Sequence, residues 1–338
     1  MTVDMTGSAN VLIYGSPYDP HVSGVAESLT RAGGAAFIVS PISDWRTETA
    51  LPTWLSNSAL HSLDSFFDLR DEPWATISVC WMRNKFRLYT IESPEDQRRE
   101  FESATRTDYL GSILRANGTR VVNSGNDQSF DKGTQIRIAN KLGARIPPTI
   151  ITDKKQHILE FLDEVGTAIV KPFSRSYASP VRGDMSSFVT IPTSIVSPDE
   201  IRQATDDEIG SCPAIYQQYI EKEYELRVIA FGEEVVGFKI NSQQFDHTRT
   251  DWRKGEATPG VIETHPFQLP TDLEDFVRVF LKRSGLDTGV FDFIISQDGG
   301  WIFLECNPNG QWAALDGEDY SISDLFSSQI LCLAQADR

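Results

Sequence analysis

The stretch Phe291–Trp312, FDFIISQDGGWIFLECNPNGQW, is two apolar runs separated by a turn. FDFII holds one acid inside an apolar run, DGG is turn chemistry, and WIFLE is apolar until it ends on a second acid. Side chains alternate along a strand, so Asp292 faces away from Phe291 and Phe293, while Glu305 and Asn307 share a face that Cys306 does not. If the strands pair across Asp298 and Gly299, then Asp292, Glu305 and Asn307 converge. Two carboxylates and an amide oxygen are hard donors that suit a Mg²⁺ ion shared with phosphate oxygens. The plainer alternative is a hairpin with solvated acidic ends. It has to meet the cost of acids set among Phe, Ile and Leu without a partner.

Around this hairpin lies a chain of 338 residues, long enough for a large core split into two or three lobes. Its hydrophobic share of 40% is ordinary for a globular protein. No apolar run approaches the ~20 residues of a membrane helix, so no membrane partner is expected. The opening MTVDMTGSAN has neither a basic region nor an apolar core, so no secretory signal is expected and the expected location is cytoplasmic. The four cysteines are scattered, with no CxxC or zinc spacing, and read as reduced thiols. A net charge of −17 argues against nucleic acid as a partner, although a basic cleft can sit inside an acidic protein.

In chain order, NVLIY is a strand, GSPYDPHVSG a turn, VAESLTRAGG a short helix and AAFIVS a second strand, which predicts an α/β lobe with parallel strands. Gly15 opens no GxGxxG, so no dinucleotide fingerprint is present. Residues 41–75 are polar and turn-rich, and TISVCWMRNKF is a central strand running into basic residues. A helix is expected over 94–116, then the strand RVVN, then a helix carrying Lys132 and stopping at Gly143. TIIT, TAIVKPF and AIYQQYI are further strands, and HILEFLDEVG and SPDEIRQAT are helices. ELRVIAFG and EEVVGFKI form a hairpin on which Glu225 and Arg227 share a face. Lys171 ends an apolar run just before a proline, a poor place for a solvated role. TDLEDFVRVFLKRSG is a helix for which Thr271 and Glu274 predict a capping box. SISDLFSSQILCLA is a last amphipathic helix.

An acid on one strand followed by E-x-N on the next resembles the Mg²⁺-ATP site of ATP-grasp ligases. The fuller FLECNPNGQW, with Asp251-Trp252-Arg253 upstream, resembles the graspetide synthetases, which are microviridin-type peptide macrocyclases. The resemblance covers about 120–316 through the order Lys132, Lys171, YQQYI, ExR, DWR, then D…ExNPxGQW; Trp81 and Arg83 extend it weakly into the first lobe, where lobe packing is the alternative. It implies an α/β ATP-grasp fold with an N-terminal lobe at 1–122, a central lobe at 123–213 and a C-terminal lobe at 214–338. It implies ATP and Mg²⁺ as cofactors, with Asp292, Glu305 and Asn307 on the metal and Lys132 and Lys171 on the phosphates. By the same resemblance Gln218 and the backbone of Tyr219 and Ile220 read adenine, and Glu225 holds the ribose. Arg227 meets the terminal phosphate, Lys239 stands on the substrate side, and Arg253 acts on the transferring phosphoryl group or the substrate carboxylate. The loop 174–187 departs from the family pattern, holding Gly183 but also Arg175 and Arg182 in place of a glycine-rich phosphate loop.

The implied reaction activates a carboxylate as an acyl phosphate and then forms side-chain esters or amides within one ribosomally made precursor peptide. That peptide has a leader and an acidic core, for which Arg175, Arg182, Arg227, Lys239, Arg249 and Arg253 are the basic candidates. A homodimer is compatible with this reading. Two alternatives stand beside it: a ligase of the same fold joining an amino acid or amine to a free or protein-borne carboxylate, and a regulatory ATP-binding module.

Overall fold

The computed structural model describes residues 9–39, 54–55, 77–83, 118–123, 130–173, 177–178, 189–191, 193–252, 263–317 and 320–336, with scattered helical residues between 98 and 114. The chain forms two compact units, one of Met1–Ser124, Leu286–Thr288 and Gln311–Arg338, the other of Gly125–Gly285 and Gly289–Gly310. This differs from the three lobes 1–122, 123–213 and 214–338 in the tail, which clusters with the N-terminal residues. The reason is packing: the last helix, Ile322–Ala336, lies against the first helix and first strand of the N-terminal unit.

In the first unit, β1 (Asn10–Tyr14), α1 (Pro20–Arg31), β2 (Ala35–Val39), β3 (Trp54–Leu55), β4 (Ile77–Met82) and β5 (Arg120–Val122) build a sheet of order β3-β2-β1-β4-β5. β2, β1, β4 and β5 run parallel, and β3 is an antiparallel edge. The predicted parallel α/β lobe is therefore present. Helix α1 starts earlier than VAESLTRAGG, because Asp19 caps it by accepting from His21 N–H and Pro20 occupies the first turn.

From β1 the chain steps one way to β2 and the other way to β4, so the ends of β1 and β4 flank a topological switch point, where open α/β sheets commonly bind ligands. Here the crevice holds the chain's own residues. The Asp19 carboxylate accepts from His21 Nδ1 at 2.5 Å and from Arg83 Nε at 3.3 Å. His21 Nε2 accepts the backbone N–H of Trp312 at 2.9 Å and of Ala313 at 3.1 Å, which puts the imidazole proton on Nδ1. Arg83 donates to Gln311 Oε1 at 3.2 Å, and the Trp312 ring stands edge-on to His21. Within this unit Arg83 and His21 are thus held by Gln311, Trp312 and Ala313.

The second unit continues with α2 (Lys132–Lys141), β6 (Thr149–Thr152), α3 (Lys155–Val165), β7 (Ala168–Pro172), β8 (Tyr177–Ala178), β9 (Val189–Thr190), β10 (Ser194–Val196), α4 (Pro198–Gln203), α5 (Asp206–Gly210) and β11 (Ala214–Gln218). It ends with β12 (Lys222–Phe231), β13 (Glu234–Ile240), β14 (Thr264–Phe267), α6 (Thr271–Ser284), β15 (Thr288–Ser296) and β16 (Trp301–Asn307). One sheet has the order β10-β7-β11-β6, the other β14-β13-β12-β15-β16.

The first of these sheets buries one face, with Ile150, Val170 and Tyr216 packed on Ile158, Phe161 and Leu162 of α3. By register its other face presents Ile151, Ile169, Ile195 and Ile215 together with Lys171 and Gln217. On the two edge strands Ile151 and Ile195 are 41% and 49% exposed, while Ile215 and Gln217 on the inner strand β11 are 0% and 1% exposed, so this face is apolar and reaches solvent only at its margins. The second sheet rests on α6, whose Phe276 and Phe280 rings meet Phe291, Phe293 and Phe303. Helix α6 is capped differently from the expectation. Pro270 is its N-cap without a side-chain bond, and Glu274 instead accepts from Arg278 one turn on. Its far end follows the sequence, with Gly285 left-handed at φ 68°.

Candidate active site

Strands β15 and β16 are joined by the turn at Asp298 and Gly299, with Gly299 at φ 78°. The turn's acid is anchored locally. Hydrogen bonds from Ser296 and Gly300 N–H, with Arg145 beside them, hold the Asp298 carboxyl down to about 2. From this turn the pairing runs Ile295 with Trp301, Ile294 with Ile302 and Phe293 with Phe303. Carried on without a break, it would set Asp292 opposite Leu304 and put Glu305 on the Phe291 side. Instead the register shifts after Phe293, Leu304 becomes the extra residue of a β-bulge, and Asp292 pairs with Glu305 and Val290 with Asn307. The bulge brings the two carboxylates onto one face, with Asn307 beside them. Phe291, Phe293, Phe303 and Cys306 all go to the α6 side.

β16 is an edge strand, and neighbouring segments hold its outer side. Phe303 N–H donates to Arg145 C=O at 2.9 Å. Cys306 N–H, between Glu305 and Asn307, donates to Gln135 Oε1 at 2.9 Å, and Gln135 is 6% exposed. The Asn307–Gly310 turn closes through Gly310 N–H to Asn307 C=O at 3.0 Å.

Around the acids stand cations. Arg227 Nη1 donates to Asp292 Oδ1 at 2.8 Å, and the Arg227 guanidinium lies 5.2 Å from the centre of the Trp252 ring. Lys132 Nζ lies 3.6 Å from Glu305 Oε2 and donates to Pro172 C=O at 3.2 Å. Lys132 is the first residue of α2, behind the Asp131 cap. A cation there opposes the helix dipole, so helix stability does not account for it. Asn307 Nδ2 donates to Glu305 Oε1 at 3.1 Å.

Lys171 is the last residue but one of β7, on the same face as Gln217, and donates to Gln217 Oε1 at 3.1 Å. In the following segment Gln218 N–H donates to Pro148 C=O and Tyr219 N–H to Thr167 C=O, both at 2.9 Å. An adenine edge would therefore meet Ile220 and the carbonyls, and not the Tyr219 N–H. Gln218 Nε2 points to Val165 C=O at 3.5 Å.

Two expected site residues have partners within the chain. Glu225 shares a strand face with Arg227, but it is 5% exposed and takes Lys222 Nζ at 2.7 Å. Burial pushes its carboxyl above the ordinary value, with Lys222 opposing. Its carboxylate has acceptor positions beyond the one that Lys222 uses, and Ser242 bonds to it as well. Lys239 pairs with Leu226, one residue off Arg227, so alternation puts it on the opposite sheet face from Glu225 and Arg227. Its ammonium stands 4.1 Å from the Tyr224 ring centre. The structure does not bring Lys239 to the acids.

Arg253, Arg175, Arg182 and the 174–187 loop apart from Tyr177 and Ala178 lie outside the described residues. Asp251 of the DWR string is described: it is buried and accepts Thr193 N–H at 3.2 Å. Arg249 pairs with Asp246 on the surface. Gln135 and Gln217 were not anticipated. Their one sequence signal is a glutamine in a helix or strand position that the apolar pattern would bury.

The donor set fits a divalent cation. Among the described residues no group of three or more His, Cys, Asp and Glu stands ready for a metal. Two carboxylates and an amide form a sparse set of the kind Mg²⁺ accepts, since it retains waters and shares phosphate oxygens. Arg227 and Lys132 beside them supply the charge that phosphates need. Among the described residues no helix is long and apolar enough to cross a membrane, and all four cysteines are free thiols.

No protein-family model matches the chain, and no curated protein matches it. Solved structures do. A RiPP-associated ATP-grasp ligase of Chryseobacterium gregarium, in complex with ADP and a leader and core peptide, superposes with a TM-score of 0.74 at 23% identity, covering 98% of this chain and 97% of that one. The macrocyclase MdnC of Microcystis aeruginosa MRC, bound with its precursor peptide MdnA, gives a TM-score of 0.74 at 22% identity, over 96% and 99% of the two chains. The ATP-grasp ligase PsnB, complexed with a minimal precursor, Mg and ADP, gives 0.71 at 16% identity, over 98% and 100%. With nearly full coverage both ways and identity this low, the likeness establishes the architecture: this chain has the fold of the ATP-grasp ligases.

Proposed function

We propose that this chain is an ATP-dependent ligase that activates a side-chain carboxylate of a precursor peptide and closes it onto a hydroxyl or amine of the same peptide. The observation that carries the reading is the bulge that sets Asp292 against Glu305 beside Asn307, flanked by Arg227 and Lys132. Such a site is suited to Mg²⁺ and the phosphates of ATP.

Asp292, Glu305 and Asn307 would hold Mg²⁺, which neutralises charge on the phosphate oxygens. Lys132 and Lys171 bind phosphates. The apolar face of Ile151, Ile169 and Ile195 takes the adenine plane, and the Gln218–Ile220 backbone meets its edge. Arg227, steadied by the Trp252 ring, faces the terminal phosphate, and Arg253 is assigned to the phosphoryl group or the substrate carboxylate on the DWR motif alone. The peptide carboxylate takes the γ-phosphoryl group, giving an acyl phosphate and ADP. A peptide hydroxyl or amine then attacks the acyl carbon, phosphate leaves and a proton is lost, leaving an ester or amide. Holding both groups in one cleft supplies much of the advantage.

A peptide substrate is favoured by the DWR and NPNGQW strings and by the leader, core and precursor peptides that the similar structures hold. A flexible peptide loses ordering entropy on binding, so a leader docked apart from the chemistry raises the core's local concentration to about millimolar. The test is mass spectrometry of a short acidic, Ser/Thr- or Lys-rich peptide encoded beside the gene, incubated with the protein, ATP and Mg²⁺, with hydroxylamine in a parallel sample. Successive losses of water, and hydroxamates in the trapped sample, are expected. Gain of amino-acid masses, or ATP cleavage stimulated by free amino acids alone, would assign the chain to intermolecular ligation instead.

A further inference from the structure

Gln217 is 1% exposed, on an inner strand of the sheet and on the same face as Lys171. Its neighbours fix which way its amide points. Thr149 Oγ1 gives its one proton to Pro147 C=O at 2.7 Å, so toward Gln217 it can only accept. Gln217 Nε2 donates to that oxygen at 2.9 Å. The amide cannot turn over without setting two acceptors, or two donors, against each other. Its Oε1 is therefore presented to Lys171, which donates to it at 3.1 Å.

We propose that Thr149 and Gln217 form a positioning relay that aims the Lys171 ammonium at an incoming phosphate through an acceptor that itself carries no charge. The inference rests on the nucleotide reading of this face. The choice of residue follows from charge. A carboxylate at Gln217 would orient the lysine equally well but pair with it, and the phosphate would have to compete for the same ammonium. A neutral amide oxygen orients and does not neutralise. A lysine side chain also carries rotamer entropy that binding must otherwise remove, and a buried, direction-locked acceptor removes part of it beforehand. Neither Thr149 nor Gln217 touches the nucleotide in this scheme; both act through Lys171.

The experiment is calorimetric binding of Mg·ADP to the full-length chain, with the melting temperature of each ligand-free variant measured alongside. Lys171→Ala tests the nucleotide reading, and a loss of about tenfold or more is expected. Thr149→Val keeps the shape, leaves Gln217 Nε2 without its acceptor so that the amide no longer holds Oε1 in one place, and should weaken Mg·ADP about fivefold; Thr149→Ser keeps the hydroxyl and should restore binding. Gln217→Glu should weaken binding by at least as much as Thr149→Val. The Thr149→Val loss should vanish in the Lys171→Ala background, which a merely structural role would not produce. If Lys171→Ala weakens binding while Thr149→Val and Gln217→Glu bind as wild type, the relay is wrong and the nucleotide site stands. An equal Thr149→Val loss in both backgrounds also overturns the relay. If Lys171→Ala binds as wild type, both fall. Should Gln217→Glu fail to fold, the Thr149 pair decides alone.

Discussion

Asp19, His21 and Arg83 in the first unit and Asp292, Glu305, Arg227 and Lys132 in the second are both clusters of acids and bases, yet the first is shut and the second is open. The side chains of the first are 1–3% exposed, those of the second 7–21%. In the first cluster the chain supplies its own ligand, since Trp312, Ala313 and Gln311 occupy the His21 and Arg83 groups. In the second, cations and acids meet at a partly exposed face, and Lys132 stands at a helix end where it costs the helix stability. A shut cluster can be understood from folding alone. An open one with opposed charges calls for a ligand that takes both.

The largest expected effect breaks the second cluster. Glu305→Gln keeps shape and removes charge, and product formation with Mg²⁺ and ATP should fall on the order of 10³-fold. Circular dichroism should be unchanged and Mn²⁺ binding, read by electron paramagnetic resonance, lost. Turnover near wild type at saturating Mg²⁺ would end the metal assignment.

The matching change in the first cluster should act on stability. Asp19→Ala removes the carboxylate that both His21 and Arg83 use, and urea unfolding should show a loss of about 3–5 kcal/mol. The same carboxyl makes the contrast pH-dependent. Burial alone would raise it, but the His21 hydrogen bond and the Arg83 charge outweigh burial and hold it below its ordinary value. A carboxyl so lowered adds stability above its unfolded pKa and loses it as pH falls through the folded one. The stability gap between wild type and Asp19→Asn should therefore be full at pH 5–6 and close below about pH 4. A gap constant down to pH 2 would contradict this.

A smaller effect tests the scaffold of the open cluster. Gln135→Met leaves the Cys306 N–H without its acceptor and should cost about 1–2 kcal/mol in unfolding, with Mg·ADP affinity lowered as β16 loosens. The smallest is expected at Lys239. On the far face of its sheet it has only a cation–π contact at stake, worth about 0.5–1 kcal/mol, so kcat/KM for Lys239→Ala should stay within about threefold of wild type. A loss as deep as that of Arg227→Ala would mean that the two residues share a site after all.

Alternation, turn residues and stop glycines sufficed for β1, β2, β4, the hairpin of β12 and β13, α6 with its glycine end, and the acid-bearing hairpin itself. These are local statements, carried by the period of apolar residues and by the few residues that tolerate left-handed backbone. Lys171 was legible as a cation in a place where solvation does not explain it, while Lys132 and Arg227 were picked out through the family resemblance. The rest needed contacts far apart in sequence. Asp19 and Pro20 held the start of α1 in plain view, but their bond with His21 gains its meaning only from Arg83 and Trp312. Gln135 and Gln217 are ordinary polar letters until Cys306 N–H and Lys171 come to meet them.

The sequence by itself determined the residue types: two acids and an amide on a hairpin, lysines and an arginine upstream, and apolar runs to carry them. Only the tertiary structure decided which of them face one another. Strict alternation from the turn would have sent Asp292 and Glu305 to opposite faces, and one extra residue, Leu304, puts them on the same one. Nothing in the letters FLEC marks that bulge. It is selected because it lets Phe303 and Cys306 stay against α6 while Glu305 turns to Asp292, a balance between core packing and pairing that no local pattern contains. The same kind of register, read across β12 and β13, puts Lys239 on the opposite sheet face from Glu225 and Arg227.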